Sequence, residues 1–599
     1  MSLFYDPILG YMPLIIMSAF ILMLCGAGLY GWYKSKKGDE DFYLAGRGQG
    51  LLVTVLTIMA TFFSSSAMLA IPGNVYKDGA GFMIFALNLP IAGVAVYLLG
   101  SRIWKIGRAK GYLTQGDMIS DYYDKSTFIR FLVAMLGFFY ILPYIVMQIR
   151  AGGLMAEILF ANANGQTIFG GLITLDMYLF GATALTLVLV LYILVGGMRS
   201  VALADAIQGS LLLFGMLVAG YMIVATLGGP GNFLKSVSEL DPKALSLPGY
   251  TDRYTILALW TICVFGAVAS MVQPAQWMRY YSAQSAQTLK RSMIIFATVL
   301  PICFLFGVML VGLGARVLYP PTIVTYSQEQ LSQIQQVQSG KIAISETTIS
   351  QQMLNDYNRG DSVSSDANKR FIPHATVSRS DQALIAVLRE NATSVFGGLG
   401  AFAAAMILVG ILAASMSTAD ANLHALSAVL THDVYTKLVR PTANERERVW
   451  CNRAVILFAA AFSLFLVMVG ERNKDFAPLK MIIELQFVAM AFACQLVPVT
   501  IDMLYIRRGT KAGAIAGMVA GLIVVFGFTP VPTLLLDGMQ LPDAANGFSY
   551  VVALVKSFFD LGFCGLVPNV IVFILVSMIT RSHNEQTKKD FESILAQKE

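Results

Sequence analysis

Runs of ~18 or more apolar residues with few charges recur from about residue 12 almost to residue 578. A bilayer selects for such runs. In hydrocarbon every backbone N–H and C=O must find its partner inside the segment, which leaves the α-helix as the way for one apolar run to cross. The spans fall near 11–33, 50–72, 80–103, 128–158, 173–195, 202–228, 254–278, 291–318, 383–430, 450–470, 478–506, 512–530 and 550–579, so the fold class is an all-α polytopic membrane protein with about 13 transmembrane helices. The segment 383–430 is longer than one crossing needs, and it is expected to be tilted or broken. Only 13% of residues are charged and 56% are hydrophobic. An ordinary soluble domain has ~25% charged residues, so a soluble enzyme and a disordered chain are both excluded.

The net charge of +6 matters through its placement. Lys34, Lys36, Lys37 and the stretches 102–110, 437–453 and 507–511 fall on one side together with the tail, most of the basic residues among them. By the positive-inside rule the N-terminus is outside, the C-terminus is cytoplasmic, and the chain is a multi-pass protein of the cell membrane. The basic excess is a topology signal and a contact with anionic lipid, and no nucleic-acid partner is expected. Residues 1–13 contain no Lys or Arg and the first apolar run is too long for a signal-peptide core, so no signal peptide is expected. The 6 cysteines lie in or beside apolar runs without a CxxC pair and read as soft core residues. The 4 histidines are too scattered for a metal site. The polar loop 319–381, rich in Gln and Ser, reads as a solvated, partly helical insertion; a lid or a partner contact is the alternative.

Two spans are interrupted. In the second, LTIMATFFSSSAMLAIPGNVY sets Ser64, Ser65 and Ser66 mid-membrane and ends with Pro72 and Gly73; in the seventh, VFGAVASMVQPAQWMRYY carries Gly266, Ser270, Gln273 and Pro274. The interruptions lie five spans apart. Paired broken helices at corresponding places in two halves point to an inverted-repeat transporter whose site is lined by unwound backbone.

These residues also carry a family resemblance. DFYLAGRG at 41–48, PGNVYKDG at 72–79, GGMRSVALADAIQG at 196–209, the Gln273 to Arg279 stretch, the stretch from Ala413 to Tyr435 ending in DVY, and GAIAGMVAG at 513–521 resemble the sodium:solute symporter family, over about residues 40–530 and in order. That family includes sodium/sugar, sodium/proline, pantothenate and monocarboxylate transporters. The resemblance implies a leucine-transporter-type core of two five-helix inverted repeats. The first repeat is 41–228, after an extra helix and linker at 1–40; the second is 229–511, containing the 319–381 loop; two helices at 512–580 and a cytoplasmic tail at 581–599 follow. It implies solute uptake coupled to sodium by alternating access, with sodium as coupling ion and no organic cofactor.

Carried over position by position, the resemblance puts the sodium ligands at Ala414, Ser417 and Thr418 on the ninth span and at Ala60 and Phe63 on the second. The chemistry agrees, because a hard monovalent cation wants several oxygens, and adjacent hydroxyls with freed carbonyls supply them without a buried charge. Ser-Thr pairs also occur as helix residues that bond back to their own backbone. Asp205 matches an acidic position tied to cation release or a second cation. Asp420, one turn past the first site, departs from the family's hydroxyl residue there. Either it binds a second cation or shares a proton with Asp205, or it sits near the cytoplasmic mouth, hydrated or paired with a basic residue or His424.

For the solute, matching positions nominate Ser64, Ser66, Ala67, Gln273 and Gln486, and the PY...Q pattern of the fourth span adds Gln148. Ser66 and Ala67 replace the acid-and-amide pair of the sugar members, and Phe62 replaces the acidic residue of the proline members. Arg150 either pairs with a substrate carboxylate or snorkels at the interface. A carboxylate-bearing solute, monocarboxylate or pantothenate-like, is expected. The alternatives are a proton-coupled, sugar or amino-acid symporter of this fold, or a transporter-like sensor, which the short tail disfavours. No enzymatic activity is expected, since no Ser/His/Asp set, HExxH or phosphate-binding Gly loop occurs.

Overall fold

The computed structural model describes residues 4–34, 38–168, 173–338, 341–363, 366–472, 482–529, 532, 547, 549–552, 554–555, 559–581 and 585–597. Among them, 10 helices are long and apolar enough to cross a bilayer, and two bent helix pairs raise this to 12. The 17-residue apolar helix Lys511–Gly527 stands at the twelfth expected position. Of the expected crossings, the beginning of the eleventh (478–481), residue 530 of the twelfth, and residues 553 and 556–558 of the last lie outside the described residues, as do Lys36 and Lys37.

Length alone hides two joints. Met177–Thr226 is continuous over 50 residues yet holds the fifth and sixth spans, which turn at Gly197 (φ 56°), a backbone conformation that costs a side-chain-bearing residue more than glycine. The over-long ninth segment is broken as expected. It comprises Ala383–Phe396, a turn at Gly397–Leu399, the crossing helix Gly400–Ala428 and a π-helical extension, Val429–Val439.

The ninth span packs most extensively against Met177–Thr226. Its sequence, AAAMILVGILAASMSTADANLHALSA, is dominated by small residues, and Gly410 lies so close that an added Cβ would meet the Leu211 carbonyl oxygen at 3.3 Å. Without a hydrophobic drive between helices in lipid, close backbone approach of this kind is what holds them. It also buries the polar residues 415–424, which therefore face protein.

The 319–381 insertion is not simply a helical loop. Strands Thr322–Thr325, Asp361–Val363 and Asp366–Ile372 form an antiparallel sheet with Asp366–Ile372 central, beside helices Gln328–Gln338 and Gln351–Arg359. A small core of Tyr326, Ile334, Ile349 and Leu354 supports it. Buried Lys77, at the end of the second span, pairs with Asp361 at 3.0 Å and docks the insertion. At the other end of the bundle, the amphipathic helix Glu585–Ala596 buries Phe591 against Tyr122 (ring centroids 5.4 Å) and pairs Glu592 with Arg507 at 2.6 Å. These two features define an insertion side and a tail side.

Candidate functional site

The second span breaks at the serines. Leu51–Phe62 ends with Phe63 extended (φ −88°, ψ 94°), the helix resumes after Ser65, and the two halves meet at 60°. Short hydroxyl side chains offer the backbone partners other than the helix ladder, which is why a serine run can end a helix here. Ser64 Oγ and Ser66 Oγ lie 2.8 Å apart, and Gln148 Oε1 accepts from the freed Ser65 N–H at 2.9 Å. Pro72 and Gly73 do not end the span. A π-helical turn, Ser66–Ala70, precedes Pro72, and the helix Ile71–Asp78 runs on past it. An added Cβ on Gly73 would sit 2.6 Å from the Ser380 carbonyl oxygen, so glycine here admits the start of the ninth segment.

The seventh span breaks between Ile256–Met271 and Pro274–Ser282, at 48°. Pro274 disfavours helical geometry at the residue before it, and Gln273 is extended (φ −64°, ψ 132°).

Across the first break lies the ninth span. Ser417 Oγ donates to the Ala60 carbonyl oxygen at 2.9 Å and lies 3.2 Å from that of Ala414; Thr418 Oγ1 lies 3.3 Å from the carbonyl oxygens of both Ala60 and Phe63. The five expected cation ligands thus gather in one place, all buried. Carbonyls and hydroxyls at this spacing are the donor type that hard cations take.

One turn toward the tail side is a charged network that sequence reasoning found only in part. Asp205 accepts from Arg279 Nη2 at 2.7 Å and from the Thr57 hydroxyl, while Arg279 Nε reaches Thr57 Oγ1 at 2.9 Å. Asp420 accepts from the Tyr192 hydroxyl at 2.7 Å and is fully buried. The expected pairing of Asp420 with His424 is not what forms; the ring of His424 is directed to the Tyr43 carbonyl, 3.5 Å away.

A cavity lies on the insertion side of the break. Ser66, Ala67 and Gln486 line it with Asn88, Ser270 and aromatic residues including Phe62 and Phe85. Its open centre is only ≈ 30 Å³, room for a water or two, so a solute requires the walls to part. Ser64, Gln148, Gln273 and Arg150 are not among its lining residues. Gln148 is used in stitching the break, and Arg150, buried rather than snorkelling, lies 5.9 Å from the Tyr178 ring. Asn88 went unnoticed in the sequence because a lone amide at the start of an apolar run has no pattern around it.

At the tail side, Gln115–Tyr122 is a short helix capped by Thr114 and Asp117. Arg130 Nη1 bridges Asp117 (2.7 Å) and Asp433 (2.9 Å), and His432 Nε2 meets Asp117 at 3.0 Å. One atom from each of Asp117, His432 and Asp433 falls within 4.8 Å of the others, so the scatter of histidines along the sequence concealed a cluster made with carboxylates. Burial pushes the Asp117 carboxyl up, but His432 and Arg130 outweigh it and hold the group well below the usual carboxylate range. The guanidinium already bridges both carboxylates, which sets this cluster up as a joint between elements.

The model of the family described as "Sodium:solute symporter family" matches residues 42–337 and 375–521. The chain is similar to the sodium/pantothenate symporter of Haemophilus influenzae, 26% identical over 322 residues, covering 52% of this chain and 62% of that protein. It is also similar to the sodium/proline symporter of Escherichia coli, 23% identical over 531 residues and 86% of each chain. Among solved structures, a Na+-coupled sialic acid symporter in a substrate-bound outward-open state superposes with a TM-score of 0.65 at 16% identity, covering 96% of this chain and 99% of that one. That likeness bears on the fold, which is of the leucine-transporter type.

Proposed function

The chain belongs to the sodium:solute symporter family, and from that premise we propose that it is a secondary active importer driving a small carboxylate-bearing organic solute with the sodium gradient. The observation that carries this reading is the convergence of the Ser417 and Thr418 hydroxyls on the Ala60 and Phe63 carbonyls at the break of the second span. With sodium bound, these groups turn their lone pairs inward and Ala414 adds a carbonyl. Binding there ties the tail-side half of the second span to the ninth span. Solute entering the cavity then closes against a core already braced, which is how one gradient drives the other.

Two observations support a carboxylate. The insertion-side half of the second span begins at Ser66 beside the cavity, and a helix N-terminus favours an anion. No acidic side chain lines the cavity among the described residues. Arg150 acts on the entry side, and Ser64, Gln148 and Gln273 shape the breaks that the solute faces. Asp205, held by Arg279, receives the sodium on its way to the tail side, and Asp420 modulates that step. The repeats are 41–228 and 229–511, with the insertion side extracellular and the tail side cytoplasmic.

The test is uptake of a labelled panel of monocarboxylates, pantothenate, amino acids and sugars into proteoliposomes with and without an inward sodium gradient. Sodium-stimulated uptake of a carboxylate is expected. Uptake of a carboxylate-free sugar alone, or uptake indifferent to sodium, contradicts the reading.

A further inference from the structure

At the tail side, the π-helical extension Val429–Val439 of the ninth span and the start of the tenth, Glu445–Arg472, meet at an open groove of ≈ 480 Å³. Tyr435, Asn444, Arg446, Glu447, Trp450 and Ala454 line it. Its charge is lopsided. Between residues 437 and 453, Lys437, Arg440, Arg446, Arg448 and Arg453 stand against Glu445 and Glu447. Glu447 is already engaged, with Arg440 at 3.1 Å and with Asn444, whose Oδ1 accepts the Glu447 N–H at 2.9 Å. Arg448 is held by Asp39 at 3.2 Å. Arg446 is exposed and enters no ion pair among the described residues. Exposed Lys437 follows shortly after Tyr435, and the Arg453 guanidinium lies 5.6 Å from the Trp450 ring.

The groove continues into an apolar stripe. Trp450, Ala454, Phe458 and Phe462 recur at every fourth position and so share one face of the tenth span. Trp450 is 68% and Phe458 61% exposed, and the Phe458 and Phe462 rings stack at 5.7 Å. Ala454 leaves a notch between the two larger side chains. From Trp450 to Phe462 the helix rises about 18 Å, close to the roughly 15 Å of hydrocarbon that one leaflet contributes. Uncompensated cations and an indole at the end of an exposed apolar stripe match a ligand with an anionic head and a hydrocarbon tail. We propose that this groove is a binding site for an anionic phospholipid, its phosphate on Arg446 and one acyl chain along Ala454 and Phe458. A free phosphate ion would use the cations and leave the stripe uncovered. Bound there, the lipid fastens the tail-side ends of the ninth and tenth spans to each other. The site stands whatever solute is carried.

The experiment follows the thermal unfolding midpoint of the detergent-purified full chain while phosphatidylglycerol, phosphatidylcholine or inorganic phosphate is titrated in. A ligand that binds only the folded state raises that midpoint. Phosphatidylglycerol is expected to raise it saturably, while phosphatidylcholine and inorganic phosphate do not. Arg446→Gln weakens the apparent phosphatidylglycerol affinity by roughly fivefold, the worth of one basic residue at an anionic lipid surface, and leaves the lipid-free midpoint unchanged. Ala454→Phe fills the notch without altering charge and weakens the affinity as well. Arg508→Gln, just past the tail-side end of the eleventh span, keeps the wild-type affinity. Equal shifts with phosphatidylcholine, or an unchanged affinity in Arg446→Gln, overturn the site. Equal losses in Arg446→Gln and Arg508→Gln with Ala454→Phe silent mean a diffuse attraction to the tail side, and overturn it too. A midpoint raised as far by inorganic phosphate overturns the lipid and leaves an adventitious ion only.

Discussion

At Arg279 a single guanidinium ties three spans together. It holds Asp205 of the sixth, Thr57 of the second and, through Nη1 at 3.0 Å, the Ala275 carbonyl of its own seventh. Both members of the ion pair are buried, so removing one leaves a charge in a medium that cannot solvate it, at a cost of ~3–5 kcal/mol. Arg279→Gln is therefore expected to lower the thermal unfolding midpoint of the detergent-purified protein by several degrees, and an unchanged midpoint contradicts the arrangement. Residues of this kind were only half visible in the sequence. Ser417, Thr418 and Asp205 are legible through the family resemblance, position by position, since a Ser-Thr pair by itself also reads as helix residues bonding back to their own backbone. Arg279 and Thr57 had no local signal of their role, because each is defined by a partner far away in the chain.

Among the elements, the broken helices were legible and their exact joints were not. The serine run and Pro274 mark breaks by local backbone chemistry. Pro72 looked like a terminator, but the π-helical turn before it absorbs the missing N–H and the helix continues. The insertion misled in the other direction, since its strand Thr322–Thr325 pairs, Thr325 with Lys369, across a long stretch of polar sequence that has no alternating apolar pattern. The short helix Gln115–Tyr122 offers a pH test. Asp117 lies outside the candidate spans and its folded-state carboxyl is depressed by His432 and Arg130 against the pull of burial. A depressed carboxyl contributes stability present above its unfolded value of ~3.9 and lost as pH falls below it toward the folded value. Asp117→Asn should thus lower thermal stability at neutral pH, and the gap to wild type should close on acidification below about pH 4. A gap that stays constant with pH contradicts the joint.

For the whole molecule, the few charges in a chain that is 13% charged divide by place. Those at the ends fasten the insertion and the tail helix, through Lys77 with Asp361 and Arg507 with Glu592. Among those inside, Asp205, Arg279 and Asp420 lie one turn from the proposed cation site, whose own ligands are all uncharged. Composition announced the bilayer and the order of motifs announced the fold, but the solute cavity emerges only when the third, seventh and eleventh spans are brought together with the second. Coupling through Ser417 and Thr418 is the claim on which the rest depends. Its most direct test is the sodium dependence of solute uptake in proteoliposomes for wild type and Thr418→Ala. Loss of one ligand hydroxyl is expected to raise the half-saturating sodium concentration by roughly fivefold to a hundredfold, at ~1–3 kcal/mol. An unchanged sodium dependence in the variant would contradict it.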